Sequence, residues 1–408
     1  MKTRAVRLYG KNDLRLEEFE LPEIKHDEIL ARVVSDSLCM SSYKAAILGK
    51  DHKRVPYDID TAPIIIGHEF CGEIIDVGNK WSKNYKIGDK FVIQPALNYK
   101  GTLNAPGYSY KYIGGDATYI VIPNEVMEMN CLIPYDSDVF YQGSLAEPLS
   151  CIIGAFNASY HTSQGSYDHI MGTKKGGKML FVGGAGTMGM VATDYVLNAY
   201  ENKPSYLVIY DIDNNKVEVS KKIFEKSKEK SRLIYVNDEK NLKELFLGGY
   251  DDIFVFSPNE KAIELADSLL DKDGCLNFFA GPSNIDFMSK INFYNIHYNF
   301  THFVATSGGN SDDMRFAVRL IKDKKIDLSY LITYVGGLDC VPDATLNMPN
   351  LEGAKKLIYT GISMPLTKLS ELYKYPEYKA LYEICEKHNG FWNREAEEYI
   401  LKRQKGLN

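Results

Sequence analysis

Up to about residue 150 the chain alternates apolar and polar positions in short runs broken by Gly, Pro and Asp. A period of two in such runs predicts β-strands, at 3–8, 28–34, 72–77, 90–94 and 117–122. Turn signals such as Gly88-Asp89 separate them. The Gly-, Pro- and Tyr-rich stretch at 98–115 predicts an exposed loop. Near residue 151 the rhythm changes. Strands are predicted at 178–182, 206–210, 233–236, 252–256 and 276–280, and helices at 188–199, 214–229 and 260–270. Strands spaced by helices imply parallel βαβ units. Beyond about 310 follow a helix at 314–322, a mixed segment at 331–335 and a strand at 356–359. The tail, 369–408, is charged and helix-prone, and its pattern assigns it no role.

Composition narrows the function classes. The 408 residues are 45% hydrophobic and 25% charged, enough to bury a full core. A formal charge of −6 offers no basic field for nucleic acid or an anionic membrane. No apolar window approaches the ~18 residues of a membrane span, and MKTRAVRLYG has no apolar leader segment. The seven cysteines are scattered, without a CxxC pair, which fits a reducing cytoplasm.

Gly183 to Gly189 follow an apolar strand and open a helix, with the GxGxxG spacing at Gly184, Gly186 and Gly189. Such a turn brings backbone N–H groups, here of Thr187 and Met188, to a dinucleotide pyrophosphate. The next strand ends in Asp211, whose carboxylate can accept the adenosine ribose hydroxyls. The 27 residues from Gly184 to Asp211 exceed the usual separation of about 20, and the insertion 200–205 absorbs the excess. Asp211 repels a 2′-phosphate, so NAD(H) is favoured over NADP(H).

A second constellation points to metal chemistry. Ile64-Ile65-Ile66-Gly67-His68-Glu69 sets an imidazole and a carboxylate at the end of an apolar run. With the Cys39 thiolate and the Glu147 carboxylate they would form a mixed S/N/O set suited to zinc with one open position.

Gly67 to Gly78 match the GHExxGxVxxVG signature of the zinc-dependent medium-chain dehydrogenase/reductases, with Ile74 in place of Val. Gly88-Asp89-Lys90-Phe91-Val92 resembles their GDxV strand, and Glu147-Pro148-Leu149-Ser150 the EPLS of their sorbitol dehydrogenase-like branch. Cys39-Met40-Ser41-Ser42 keeps the Cys and hydroxyl of the family's C-G-[ST]-D motif but lacks its Gly and Asp. Stretches such as DSLCMSSYKAAILGKDHKRVP and HFVATSGGNSDDMR resemble the ketose-phosphate reductases of that branch.

The resemblance implies an α/β chain. A β-rich GroES-like catalytic domain, 1–150 and 310–408, is interrupted by a doubly wound Rossmann domain, 151–309. It implies Cys39 and His68 as zinc ligands, with Glu69 and Glu147 open as to which binds directly. Ser41 is the candidate for exchanging a proton with the substrate oxygen. The loop at 96–115 lacks the four cysteines that hold a structural zinc in many relatives, so one catalytic zinc is expected. Lys44 stands where alcohol dehydrogenases carry a relay His. The implied substrate is a small sugar phosphate, a ketose phosphate reduced to a hexitol phosphate. Lys53 and Arg54, in a basic run with Lys50 and His52, are candidates for its phosphate. The alternatives are a polyol or galactitol 1-phosphate dehydrogenase, and a nucleotide-binding protein without catalysis. A homo-oligomer is the default for such an enzyme.

Overall fold

The computed structural model describes residues 1–163 and 165–405, so the end of the expected return segment, 406–408, lies outside the described residues. The chain divides into two compact units, Met1–Glu147 with Met314–Asn408, and Pro148–Asp313.

In the first unit, the central strand Ile29–Leu38 pairs antiparallel with Phe70–Val77, Tyr119–Ile122 and Lys355–Tyr359. The sheet runs Thr367–Lys368, Ile332–Gly337, Lys355–Tyr359, Ile29–Leu38, Phe70–Val77, Lys90–Ile93, Leu132–Pro134. Alternating residues of these strands (Ile29, Ala31, Val33, Ile74, Phe91, Ile120) share one buried cluster, which is why the period of two was readable. A hairpin of Lys2–Gly10 with the half-exposed Asp13–Glu20, a strand the pattern did not reveal, flanks it.

The segment at 98–115 departs from the expected exposed loop. Its tip is exposed, but Ala105–Tyr108 and Ile113–Gly115 are buried. Gly107 explains this. At φ +77° its backbone lies so close to residue 67 that a Cβ would stand 2.0 Å from the Gly67 carbonyl oxygen. The tail also has a place. Trp392 is buried and donates to the Tyr359 hydroxyl (2.9 Å). The Glu397 carboxylate accepts from Phe140 N (2.7 Å), Tyr141 N (2.9 Å) and Tyr359 Oη (2.8 Å).

The second unit holds a parallel sheet ordered Leu233–Val236, Tyr206–Tyr210, Lys178–Val182, Tyr250–Val255, Leu270–Phe278, His302–Val304. Chain order reverses beside Lys178–Val182, the switch point of a doubly wound fold. The helix expected over 214–229 covers Asn214–Phe224 only. Val217, Ser220 and Phe224 bury its inner face, and the charged residues that follow have nothing to bury. The helix expected to reach 270 stops at Ser268, and Leu270 opens the next strand. Among the described residues no helix is long and apolar enough to cross a membrane.

Candidate metal centre

Three strand ends at one edge of the large sheet bring the polar groups together. Cys39 follows the central strand in extended conformation and begins the helix Met40–Leu48. Glu69 immediately precedes Phe70–Val77, whose first residue pairs with Asp36, and its carbonyl accepts from Ser37 N (3.0 Å). On the other side, Lys356 pairs with Leu38 and sets Lys355 beside the same edge. His68 is reached through Gly67 at φ +91°, where a Cβ would meet Asp116 N at 2.7 Å.

One ligand atom each from Cys39, His68 and Glu69 lies within 4.8 Å of the others. Glu147 is not of that group. It is half-buried at the start of the helix Ala146–Ala158, and its charge acts on Cys39, Tyr108 and Lys355. Burial pushes the Cys39 thiol up to about 12, with Glu69 adding to the effect and Lys355 opposing it. Burial lowers His68 to about 4, so its imidazole is neutral. Burial would raise Glu69, but Lys355 outweighs it and holds the carboxyl below its ordinary range. Lys355 Nζ bonds both oxygens of Glu69 (2.6 Å to Oε1), and Ser37 Oγ donates to Oε2. Behind them Asp36 and Asp116 are fully buried neighbours, and burial pushes Asp116 up to about 8.

Sulfur, a neutral imidazole nitrogen and an ionised carboxylate fit zinc. Glu69 keeps lone pairs beyond those used by Lys355 and Ser37, since a carboxylate has about four. Ser42 Oγ is 3.3 Å from His68 Nδ1 and orients the ring as an outer partner of a metal-binding His does. Ser41 is half-buried in the first turn of the same helix.

The glycine turn of the second unit fits a dinucleotide. Gly184 and Gly189 are required by packing, since a Cβ at Gly189 would stand 2.2 Å from the Gly184 oxygen. Gly186 is not, for a Cβ there would meet nothing closer than 3.7 Å. The bare backbone at Gly186, Thr187 and Met188 is thus partly open at a helix N-terminus, where N–H groups lack intrahelical partners. Asp211 directly follows the strand Tyr206–Tyr210 and is mostly buried, accepting from Ala185 N (3.2 Å) and Asp213 N (3.1 Å).

Residues 25–130 match the alcohol dehydrogenase GroES-like domain. An L-sorbose 1-phosphate reductase of Klebsiella pneumoniae is 50% identical over 404 residues, 98% of this chain and 97% of the other. This chain is a zinc-dependent medium-chain dehydrogenase/reductase. A further member, the mannitol-1-phosphate 5-dehydrogenase of Aliivibrio fischeri, is 43% identical over 415 residues, covering 98% of each chain. The fold agrees. The 2R,3R-butanediol dehydrogenase of Bacillus subtilis superposes with a TM-score of 0.70 at 19% identity, over 88% of this chain and 99% of that one. The protein is accordingly an oxidoreductase, its first unit GroES-like and its second a Rossmann unit.

In this dehydrogenase a cationic segment lies near the cluster. Burial, then Arg54, Lys53 and Lys44, lowers His52 to about 4, so these charges converge on it. Lys53 is exposed. Arg54 is half-buried with Nε enclosed and unpartnered, and neither is ion-paired with a carboxylate among the described residues. Sequence reasoning missed Lys355, Tyr108 and Ser37. Lys355 left a faint trace, a lysine opening a strand whose five residues are all buried. Tyr108 left none.

Proposed function

We propose that this enzyme reduces a ketose phosphate, L-sorbose 1-phosphate to D-glucitol 6-phosphate, with hydride from NADH. The observation that carries this is the 50% identity, end to end, with a protein named for that reaction. The charges of Lys44, Lys53 and Arg54, which converge on His52, support it, because gathered positive groups suit a phosphate. Lys53 and Arg54 are the proposed phosphate contacts.

Cys39 and His68 hold the zinc, and Glu69 or Glu147 completes the set. When bound, zinc supplies Lewis acidity that polarises the substrate carbonyl. Ser41 exchanges the proton with the substrate oxygen as hydride reaches the carbon. Gly184, Gly186, Thr187, Met188 and Gly189 seat the pyrophosphate, and Asp211 the ribose. NADH is preferred to NADPH because Asp211 and Asp213 oppose a 2′-phosphate, while Lys216, a few residues on, is engaged by Asp213 at 3.4 Å. We place one catalytic zinc and no structural zinc in each chain, and the working enzyme in the cytoplasm as a homo-oligomer.

The relative named for mannitol 1-phosphate favours a second reading, oxidation of a hexitol 1-phosphate. Rates with L-sorbose 1-phosphate, mannitol 1-phosphate, galactitol 1-phosphate and free sorbitol, each with both nicotinamides, separate the two. The first reading expects the highest kcat/KM for the ketose phosphate with NADH. Equal rates on free sorbitol and the phosphates would reject both.

A further inference from the structure

Tyr108 is the residue of this neighbourhood that the proposed reaction leaves without a task, and it is almost fully buried. Its loop is sewn to the His68 strand end, since Gly115 N donates to the Gly67 carbonyl (2.7 Å) and Gly107 lies against the same peptide. The Tyr108 ring sits 4.8 Å from the His68 ring and stacks on His52 at 5.7 Å and 12°. The Arg54 guanidinium lies over it at 5.4 Å. Its hydroxyl is 3.1 Å from His68 Nε2. The phenol therefore reaches the metal cluster while its ring forms a wall of the cationic segment.

In the tautomer whose Nε2 is free to take a metal, His68 Nδ1–H donates to Ser42 Oγ and the Nε2 lone pair accepts from Tyr108. A neutral imidazole has a single such lone pair. A metal bound through Nε2 takes it, and the Tyr108 proton must then find another acceptor in a buried site, where an unmade hydrogen bond is costly. The substrate's carbonyl oxygen, which gains negative charge as hydride arrives, is an acceptor of the right kind.

We propose that Tyr108 is a catalytic residue whose hydroxyl passes from His68 Nε2 to the reacting oxygen of the substrate when metal and substrate bind. This rests on the reading that zinc occupies the Cys39–His68–Glu69 cluster. Tyr108 adds a fixed donor to the growing alkoxide, and the ring that carries it also supports Arg54.

The test is Tyr108→Phe, which keeps the ring against His52 and Arg54 and removes the hydroxyl alone. Zinc affinity is read by chelator competition on stripped enzyme, and kcat and KM on reloaded enzyme, both beside wild type. We expect zinc binding unchanged or a few-fold tighter, kcat lower by roughly a hundredfold, as for loss of one oxyanion donor, and KM within about threefold. Zinc binding weakened tenfold or more would make Tyr108 a structural support of the ligands, and kcat within threefold of wild type would deny contact with the reacting oxygen. Either overturns the proposal. If Phe fails to fold, as loss of its cooperative urea transition would report, 3-fluorotyrosine at position 108 takes its place. That residue keeps the ring and the hydroxyl but makes the phenol a stronger acid, so kcat should shift with zinc affinity unchanged, and an unchanged kcat counts against the proposal. Wild-type enzyme that binds no zinc defeats the parent reading instead, so the two failures are told apart.

Discussion

Lys355 Nζ stands 2.6 Å from Glu69 Oε1, and the two side chains are 6% and 1% exposed. A buried carboxylate of this kind must be matched by a cation. Lys355→Met removes the match and should cost about 3–5 kcal/mol in stripped protein, the usual result of orphaning a buried charge. Zinc supplies a substitute cation, so the loaded variant should lose less. Urea unfolding of both forms checks this, and an equal loss with and without zinc would contradict it.

Glu397 ties the tail to the segment that leads into Glu147, and burial pushes its carboxyl from 4.5 to about 7. A carboxyl raised on folding contributes stability that is fully present below pH 4.5 and lost as pH rises through 7. The loss is roughly 3 kcal/mol at most. Glu397→Gln cannot titrate. Urea midpoints between pH 5 and 8 should therefore fall less steeply in the variant than in wild type.

Gly189→Ala puts a methyl 2.2 Å from the Gly184 oxygen, a backbone atom that cannot step aside. The turn should open and NADH affinity fall by roughly five- to a hundredfold, in proportion to the ~1–3 kcal/mol of overpacking. Fluorescence titration with NADH reads the effect. Zinc content should not change, because the metal cluster belongs to the other unit.

Lys53→Gln combined with Arg54→Gln should raise KM for a sugar phosphate by about tenfold or more, the scale of lost hydrogen bonds to a charged group. KM for the free sugar should hold within about twofold. Equal changes for both would mean that the segment is an ordinary solvated loop.

Period-two strands and the βαβ rhythm were legible because each element buries one recurrent face, as Ile29, Ala31 and Val33 do. Cys39, His68 and Glu69 drew notice through local motifs, and strand register sets them together. Lys355 could not be read this way, for it lies 286 residues from Glu69 and meets it only through sheet pairing. Tyr108 was hidden in a loop whose burial follows from Gly107 at φ +77°, a feature that hydrophobic periodicity does not register. The tail's charged pattern concealed Glu397, a carboxylate that faces inward because three donors await it.

The central claim is that Cys39 helps hold one zinc on which turnover depends. Elemental analysis with a chelation series on wild type and Cys39→Ser tests it most directly. One zinc per wild-type chain, lost with NADH oxidation on chelation, regained on adding zinc and missing from the serine variant, is the result expected. Full turnover in excess chelator, by a chain carrying no stoichiometric metal, is the result that would contradict it.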